Sequence, residues 1–134
     1  MKNFLLLLSF FHGLSSSVFS DPQLNQWASE QKTLAFQRLL KNVNAPGTAR
    51  GVVIASPSQQ NPDYYYHWVR DAGIVMDIIA KRYESENNPN VQAILEGLLF
   101  DFADFSLKNQ ATPNLSGSLG EPKFFVDGEP YLGQ

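Results

Sequence analysis

The chain contains no cysteine among its 134 residues. That excludes a disulfide framework and any thiolate-held metal, and it leaves the redox state of the compartment unspecified. Charge is also scarce: 17% of the residues are charged, 10 basic against 13 acidic, for a net charge of −3. The basic residues form no cluster, so the electrostatic footprint of a nucleic-acid partner is missing. His67 has no second ligand at usable spacing, which argues against a zinc site, and nothing in the pattern calls for a metal or another cofactor. Beyond the first twenty residues no apolar run is long enough to cross a bilayer. What remains is a globular balance, 43% hydrophobic and 13% aromatic, suited to one domain or part of one.

The first residues address the compartment. Met1–Ser20 has a lysine at position 2, an apolar run from Phe4 to Phe11 broken only by Ser9, and a small-residue stretch over Ser15–Ser20. This is the build of a secretory signal peptide. Val18 and Ser20 place cleavage before Asp21, with a cut after Ser17 as the alternative. The apolar run is far short of the roughly 18 residues a membrane anchor needs, so a cleaved signal is favoured. The mature chain is expected to be secreted, extracellular and free of membrane.

Three helical patterns follow. Asp21 and Pro22 form a cap and a first-turn proline ahead of Leu24, Trp27, Ala28, Gln31, Leu34, Ala35 and Leu39, and the helix is expected to end near Asn42–Asn44. Its Trp27 stripe reads as core packing. Residues 50–56 (RGVVIAS) read as a short extended run, because Val52, Val53 and Ile54 are β-branched and Pro57 closes the segment. A second helix is expected to begin at or just before Asp71, whose carboxylate can serve the free N–H groups of the first turn, and to fray near Tyr83–Glu86. A third starts at Asn88–Pro89 and carries Val91, Ile94, Leu95, Leu98, Phe102 and Phe105 along one side. From Ala111 to Gln134 the pattern stops, and the Gly, Pro and Ser content predicts a long surface loop of the kind that tends to carry function. Asn114 opens an N-glycosylation sequon within it, plausible in a secreted chain.

The densest chemistry lies in residues 61–73, NPDYYYHWVRDAG. Aromatic faces beside an arginine and an aspartate suit a ligand that is apolar on its ring faces and hydroxylated at its rim, which describes a sugar. In an extended segment Tyr64, Tyr66 and Trp68 point to one side and Tyr65, His67 and Val69 to the other, so His67 would face away from the ligand, satisfied by a neighbouring carbonyl. The plainer reading of Arg70 and Asp71 is a helix cap with a structural ion pair, and it stands beside the ligand reading at this point.

The run GVVIASPSQQNPDYYYHWVRDAG (residues 51–73), followed by LGEPKFFVDGEPYLGQ (residues 119–134), closely resembles the start of the catalytic domain of secreted glucoamylases, the glucan 1,4-α-glucosidases of glycoside hydrolase family 15. There the two blocks read close to GVVIASPSxxNPDYYYTWTRDSG and LGEPKFNVDxxAYxGxW. The resemblance implies an all-α chain, about three helices and long loops from the N-terminal portion of an (α/α)6 toroid. Its domain plan is a signal peptide over 1–20 and a truncated catalytic domain over 21–134. It further implies an exo-acting, inverting hydrolase that releases glucose from the non-reducing ends of starch and malto-oligosaccharides, acting as a monomer when full length.

Residue by residue, Trp68, Arg70 and Asp71 match the family's tryptophan, arginine and aspartate that hold the terminal glucose through its 4- and 6-hydroxyls, and Tyr64 matches a tyrosine lining that pocket. His67 and Val69 depart from the common threonines, and Ala72 from a common serine. Glu121, Asp127 and Glu129 are expected to be turn and loop residues. The catalytic acid and base belong to later parts of the family domain, so no catalytic residue is expected within this chain. The polypeptide on its own is expected to be inactive and, with uncovered apolar stripes, prone to aggregate. The competing readings are a saccharide-binding remnant without catalysis and a secreted helical interaction module.

Overall fold

The computed structural model describes residues 21–113 and 122–133. The segment expected to be a signal peptide, the Asn114 sequon and Glu121 lie outside the described residues. The element order is α1 (Pro22–Leu40), β1 (His67–Trp68), α2 (Val69–Ser85), α3 (Pro89–Gln110) and β2 (Lys123–Phe124). The described chain falls into two units that divide after Gln37.

α1 starts as its sequence dictates. The Asp21 carboxylate accepts from the Gln23 N–H at 2.9 Å, and Pro22 has no N–H to satisfy. It ends at Leu40, earlier than expected, because the next three N–H groups turn back to carbonyls three residues behind them, tightening the chain out of the α-helix. The expectation that the Trp27 stripe is core is not met: no α1 residue is buried and Trp27 is 58% exposed. A periodic stripe identifies the face a helix would cover, but it does not guarantee a cover among the described residues.

The second unit holds the core. Ala45, Val52, Ile54 and Phe105 form a buried cluster, with Tyr65, Ala49 and Val126 packed against it. The extended reading of residues 50–56 holds at Val53 and Ile54, which bridge Val43 and His67 antiparallel, but not at Arg50 and Gly51, which form a turn. A polar knot fastens this run to α3: Asn44 donates to Asp101 at 2.8 Å and accepts from the Gly51 N–H at 2.6 Å, while Arg50 pairs with Asp101 at 2.8 Å. Gly51 takes φ +85° there, and an added Cβ would lie 2.2 Å from the Asp101 carbonyl oxygen and 2.4 Å from the Phe105 Cβ. Only glycine fits both the backbone conformation and the space.

α2 buries Ala72, Met76 and Ile79, one face at helical spacing, and packs against α3. Glu86 closes α2 and accepts from the Asn88 and Asn87 N–H groups at 2.9 and 3.0 Å and from Arg82 at 2.7 Å. The Asn88 bond, the largest influence, holds its carboxyl below the ordinary value against desolvation, and the Arg82 charge adds to the lowering. Asn88 caps α3 as its sequence predicts, its side chain accepting from the Asn90 N–H at 3.0 Å and the Val91 N–H at 3.5 Å. The end of the chain departs from the expected plain loop. Lys123–Phe124 pairs antiparallel with His67–Trp68, and Phe124 is fully buried, a gain of about 1.5 to 3 kcal/mol for a side chain of that size. Asp127 and Glu129 are turn residues as expected: the Glu129 N–H reaches the Asp127 carboxylate at 3.0 Å, and the Phe125 N–H reaches the Glu129 carbonyl at 2.8 Å.

Candidate functional site

Two neighbours position β1. On one side Ile54 bridges His67, and on the other β2 pairs with it in the register His67↔Phe124 and Trp68↔Lys123. Side-chain alternation along this segment then sorts the aromatics. Tyr65 and His67 turn inward: Tyr65 packs against the Ala45–Phe105 cluster, and His67, 2% exposed, meets the rings of Phe105, Phe102 and Phe124 at centroid distances of 4.8, 6.3 and 6.3 Å. Tyr66 and Trp68 turn to the other face, together with Lys123.

His67 is satisfied differently from expectation. Its Nδ1 accepts from the Val53 N–H at 3.0 Å, so its partner is a backbone donor and not a carbonyl. The unprotonated nitrogen belongs to a neutral imidazole, and burial holds its pKa down at about 4. The ring is therefore a structural wedge that braces β1 against the extended run. It faces away from Trp68, as alternation predicts, and among the described residues no group of three or more potential ligands could hold a metal ion.

α2 begins immediately after Trp68, which is its N-cap residue and makes no side-chain capping bond. Asp71 thus stands in the first turn of a helix that starts just before it, as expected, but its carboxylate makes no capping bond there. The Val69 N–H is taken up by the Pro122 carbonyl at 3.0 Å, which lets the chain enter the helix without a side-chain cap. The Asp71 carboxylate is left to the Arg70 guanidinium, 3.0 Å away, with side chains 38% and 78% exposed respectively. A pair this exposed contributes at most about 1 kcal/mol to stability. Stability is therefore a weak explanation for it, and its acceptor and donor atoms remain open to a ligand.

Trp68 itself is half-buried, and its indole N–H has no partner among the described residues. Tyr66 packs with Phe125 and Tyr131 at centroid distances of 5.7 and 5.6 Å. Desolvation, with the Asp63 carboxylate next, pushes its phenol above the ordinary value. Tyr64 is 48% exposed in the loop that precedes β1, and no ring contact, hydrogen bond or ion pair joins its side chain to the other three candidates among the described residues. Trp68, Arg70 and Asp71 thus stand together at the start of α2, and Tyr64 stands in the loop before β1. Sequence reasoning missed Lys123, whose only signal was its place in the second family-like block.

A family model described as Glycosyl hydrolases family 15 matches residues 31–134. Among curated relatives, Glucoamylase from Blastobotrys adeninivorans is 37% identical over 89% of this chain and 20% of its own length. Glucoamylase 1 from Rhizopus oryzae is 38% identical over 82% of this chain and 18% of its own. A solved structure, the family 15 glucoamylase from Hypocrea jecorina, superimposes with a TM-score of 0.75 at 34% identity, over 83% of this chain and 20% of that one. The chain spans about a fifth of the length of the curated relatives it matches.

Proposed function

The chain belongs to the glycosyl hydrolases of family 15, and we propose that it contributes part of the glucose-binding subsite of a secreted glucan 1,4-α-glucosidase. Its fold is a portion of that family's α/α toroid, with three helices among the described residues. The observation that carries the functional reading is the exposed Arg70–Asp71 pair in the first turn of α2, directly after the half-buried ring of Trp68. An ionised carboxylate accepts from two sugar hydroxyls, a guanidinium donates in a fixed fork, and an indole face packs on sugar C–H groups. Those are the contacts a terminal glucose requires. Tyr64 extends the aromatic lining from the preceding loop.

In this reading, binding the chain end makes the enzyme exo-acting on starch and malto-oligosaccharides. Hydrolysis then proceeds with inversion. A carboxylic acid protonates the glycosidic oxygen as the C1–O bond breaks, while a carboxylate about 6.5 to 9.5 Å away takes a proton from the water that attacks C1 from the opposite face. Both groups are assigned to sequence outside this chain, whose own contribution is to hold the glucose ring in register with them. The family-like sequence blocks and the relatives above support the reading, as does the signal-like start for secretion.

The test is the early product of maltoheptaose digestion by the full-length protein, followed by proton NMR. Glucose as the first product, in the β-configuration, is expected. A spread of short oligomers, or α-glucose, would overturn the exo-acting or the inverting part respectively. The 134-residue chain by itself is expected to release no glucose, and measurable release would show that the acid and base lie within it.

A further inference from the structure

Lys123 makes an unusual set of contacts for a charged side chain. Its Nζ sits 3.6 Å from the ring centroid of Tyr131, 3.7 Å from that of Tyr66 and 5.1 Å from that of Trp68. All three lie inside the roughly 6 Å range in which a ring's negative face attracts a cation. No carboxylate pairs with it among the described residues, so aromatic faces take the place of a counter-ion. The backbone builds this arrangement. Lys123 is the cross-strand partner of Trp68, and the Tyr131 N–H donates to the Lys123 carbonyl at 3.2 Å. Phe125 closes the ring cluster, 5.7 Å from Tyr66 and 5.5 Å from Tyr131.

We propose that Lys123 is a positioning residue: its ammonium, clasped by Tyr66 and Tyr131, fixes the orientation of the Trp68 indole that receives the terminal glucose. The proposal rests on the saccharide reading of Trp68. Among the described residues the buried indole N–H makes no hydrogen bond, so none sets the ring's rotation. A binding platform must be held to within about 10 to 20° to be useful, and groups around the first contact shell supply that constraint. Lys123 supplies it electrostatically from directly across the strand pair, next to Pro122, whose carbonyl receives the first N–H of α2. One flexible cation thereby ties the loop carrying Tyr131 to the element carrying Trp68, Arg70 and Asp71.

The test uses the full-length protein and kcat/KM on maltose. Lys123→Met keeps the length and removes the charge; a loss of about tenfold is expected, the size of one good partly desolvated cation–π contact. Lys123→Arg is expected to retain most of the activity. Lys123→Ala should be rescued by n-propylammonium, which replaces the missing atoms and the charge, and not by 1-propanol, which fills the same space without it. A purely packing role predicts equal rescue by the alcohol, and that result would overturn the proposal. Trp68→Ala is measured alongside. If Trp68→Ala is impaired while Lys123→Met matches wild type, the positioning role fails and the saccharide reading stands. If Trp68→Ala matches wild type, both fail.

Discussion

Acidification should weaken this fold through one buried ring. His67 is 2% exposed, surrounded by Phe102, Phe105 and Phe124, and its Nδ1 is occupied by the Val53 N–H, so the folded protein resists protonating it until about pH 4. In the unfolded chain the same imidazole titrates at its ordinary 6.5. Above 6.5 neither state is charged and the ring costs nothing. As pH falls from 6.5 to 4 the unfolded state gains a proton that the folded state refuses, and stability drops. The difference of about 2.5 units, at about 1.36 kcal/mol each, gives a loss of about 3 kcal/mol, complete near pH 4.

The perturbation that isolates this effect is His67→Asn, which retains an acceptor near the Val53 N–H and removes the titration. At pH 7 the variant should be less stable by about 2 to 4 kcal/mol, because the smaller side chain leaves a void among three phenylalanines. Guanidinium unfolding of both full-length proteins from pH 7 to pH 4 reads the gap between them, and other titrating groups cancel in the difference. The gap should close to near zero by pH 4. A gap that stays constant across the range, or a His67 proton resonance titrating near 6.5, would refute the reasoning.

Other outcomes follow from the same geometry. Gly51→Ala forces a methyl group against the Asp101 carbonyl and Phe105 at a positive φ, and should cost about 2 to 4 kcal/mol, seen as a lowered unfolding midpoint. Asn88→Ala removes both capping bonds of α3 and should cost about 1 kcal/mol by the same measurement, with kcat/KM unchanged. Asp71→Asn leaves the fold intact, given the exposure of its ion pair, yet should lower kcat/KM on maltose by about 10- to 100-fold through the loss of a charged hydrogen-bond acceptor. Unchanged kcat/KM in that variant would return the Arg70–Asp71 pair to a purely structural role.

Much of the scaffold was legible because its signals are local. Asp21–Pro22 and Asn88–Pro89 announce two helices by cap chemistry, and both caps form as read. Alternation correctly sent Tyr65 and His67 inward and Tyr66 and Trp68 outward, but it fails at Val69, which opens α2 and is exposed. Non-local features were not legible. β2 is two residues long in a segment rich in Gly, Pro and Ser, too short to show a period, and its partner lies more than fifty residues earlier. The start of α2 was legible as at or just before Asp71, but the bond that fixes it at Val69 comes from Pro122 and was not. The exposure of Trp27 shows the same limit from the other direction: periodicity names the apolar face of a helix but not what covers it. Lys123 was passed over because no local pattern reveals a lysine whose partners are the rings of Tyr66, Trp68 and Tyr131.

The most direct measurement pairs a deletion on the sugar with a deletion on the protein. Maltose lacking the 4-hydroxyl of its non-reducing glucose is compared with maltose itself, in the full-length wild-type protein and in Asp71→Asn. With Asp71 holding that hydroxyl, the deoxy sugar should lose about 10- to 100-fold in kcat/KM in the wild type and only a few-fold in the variant. An equal loss in both proteins would mean that the carboxylate at the start of α2 does not touch the end of the sugar chain.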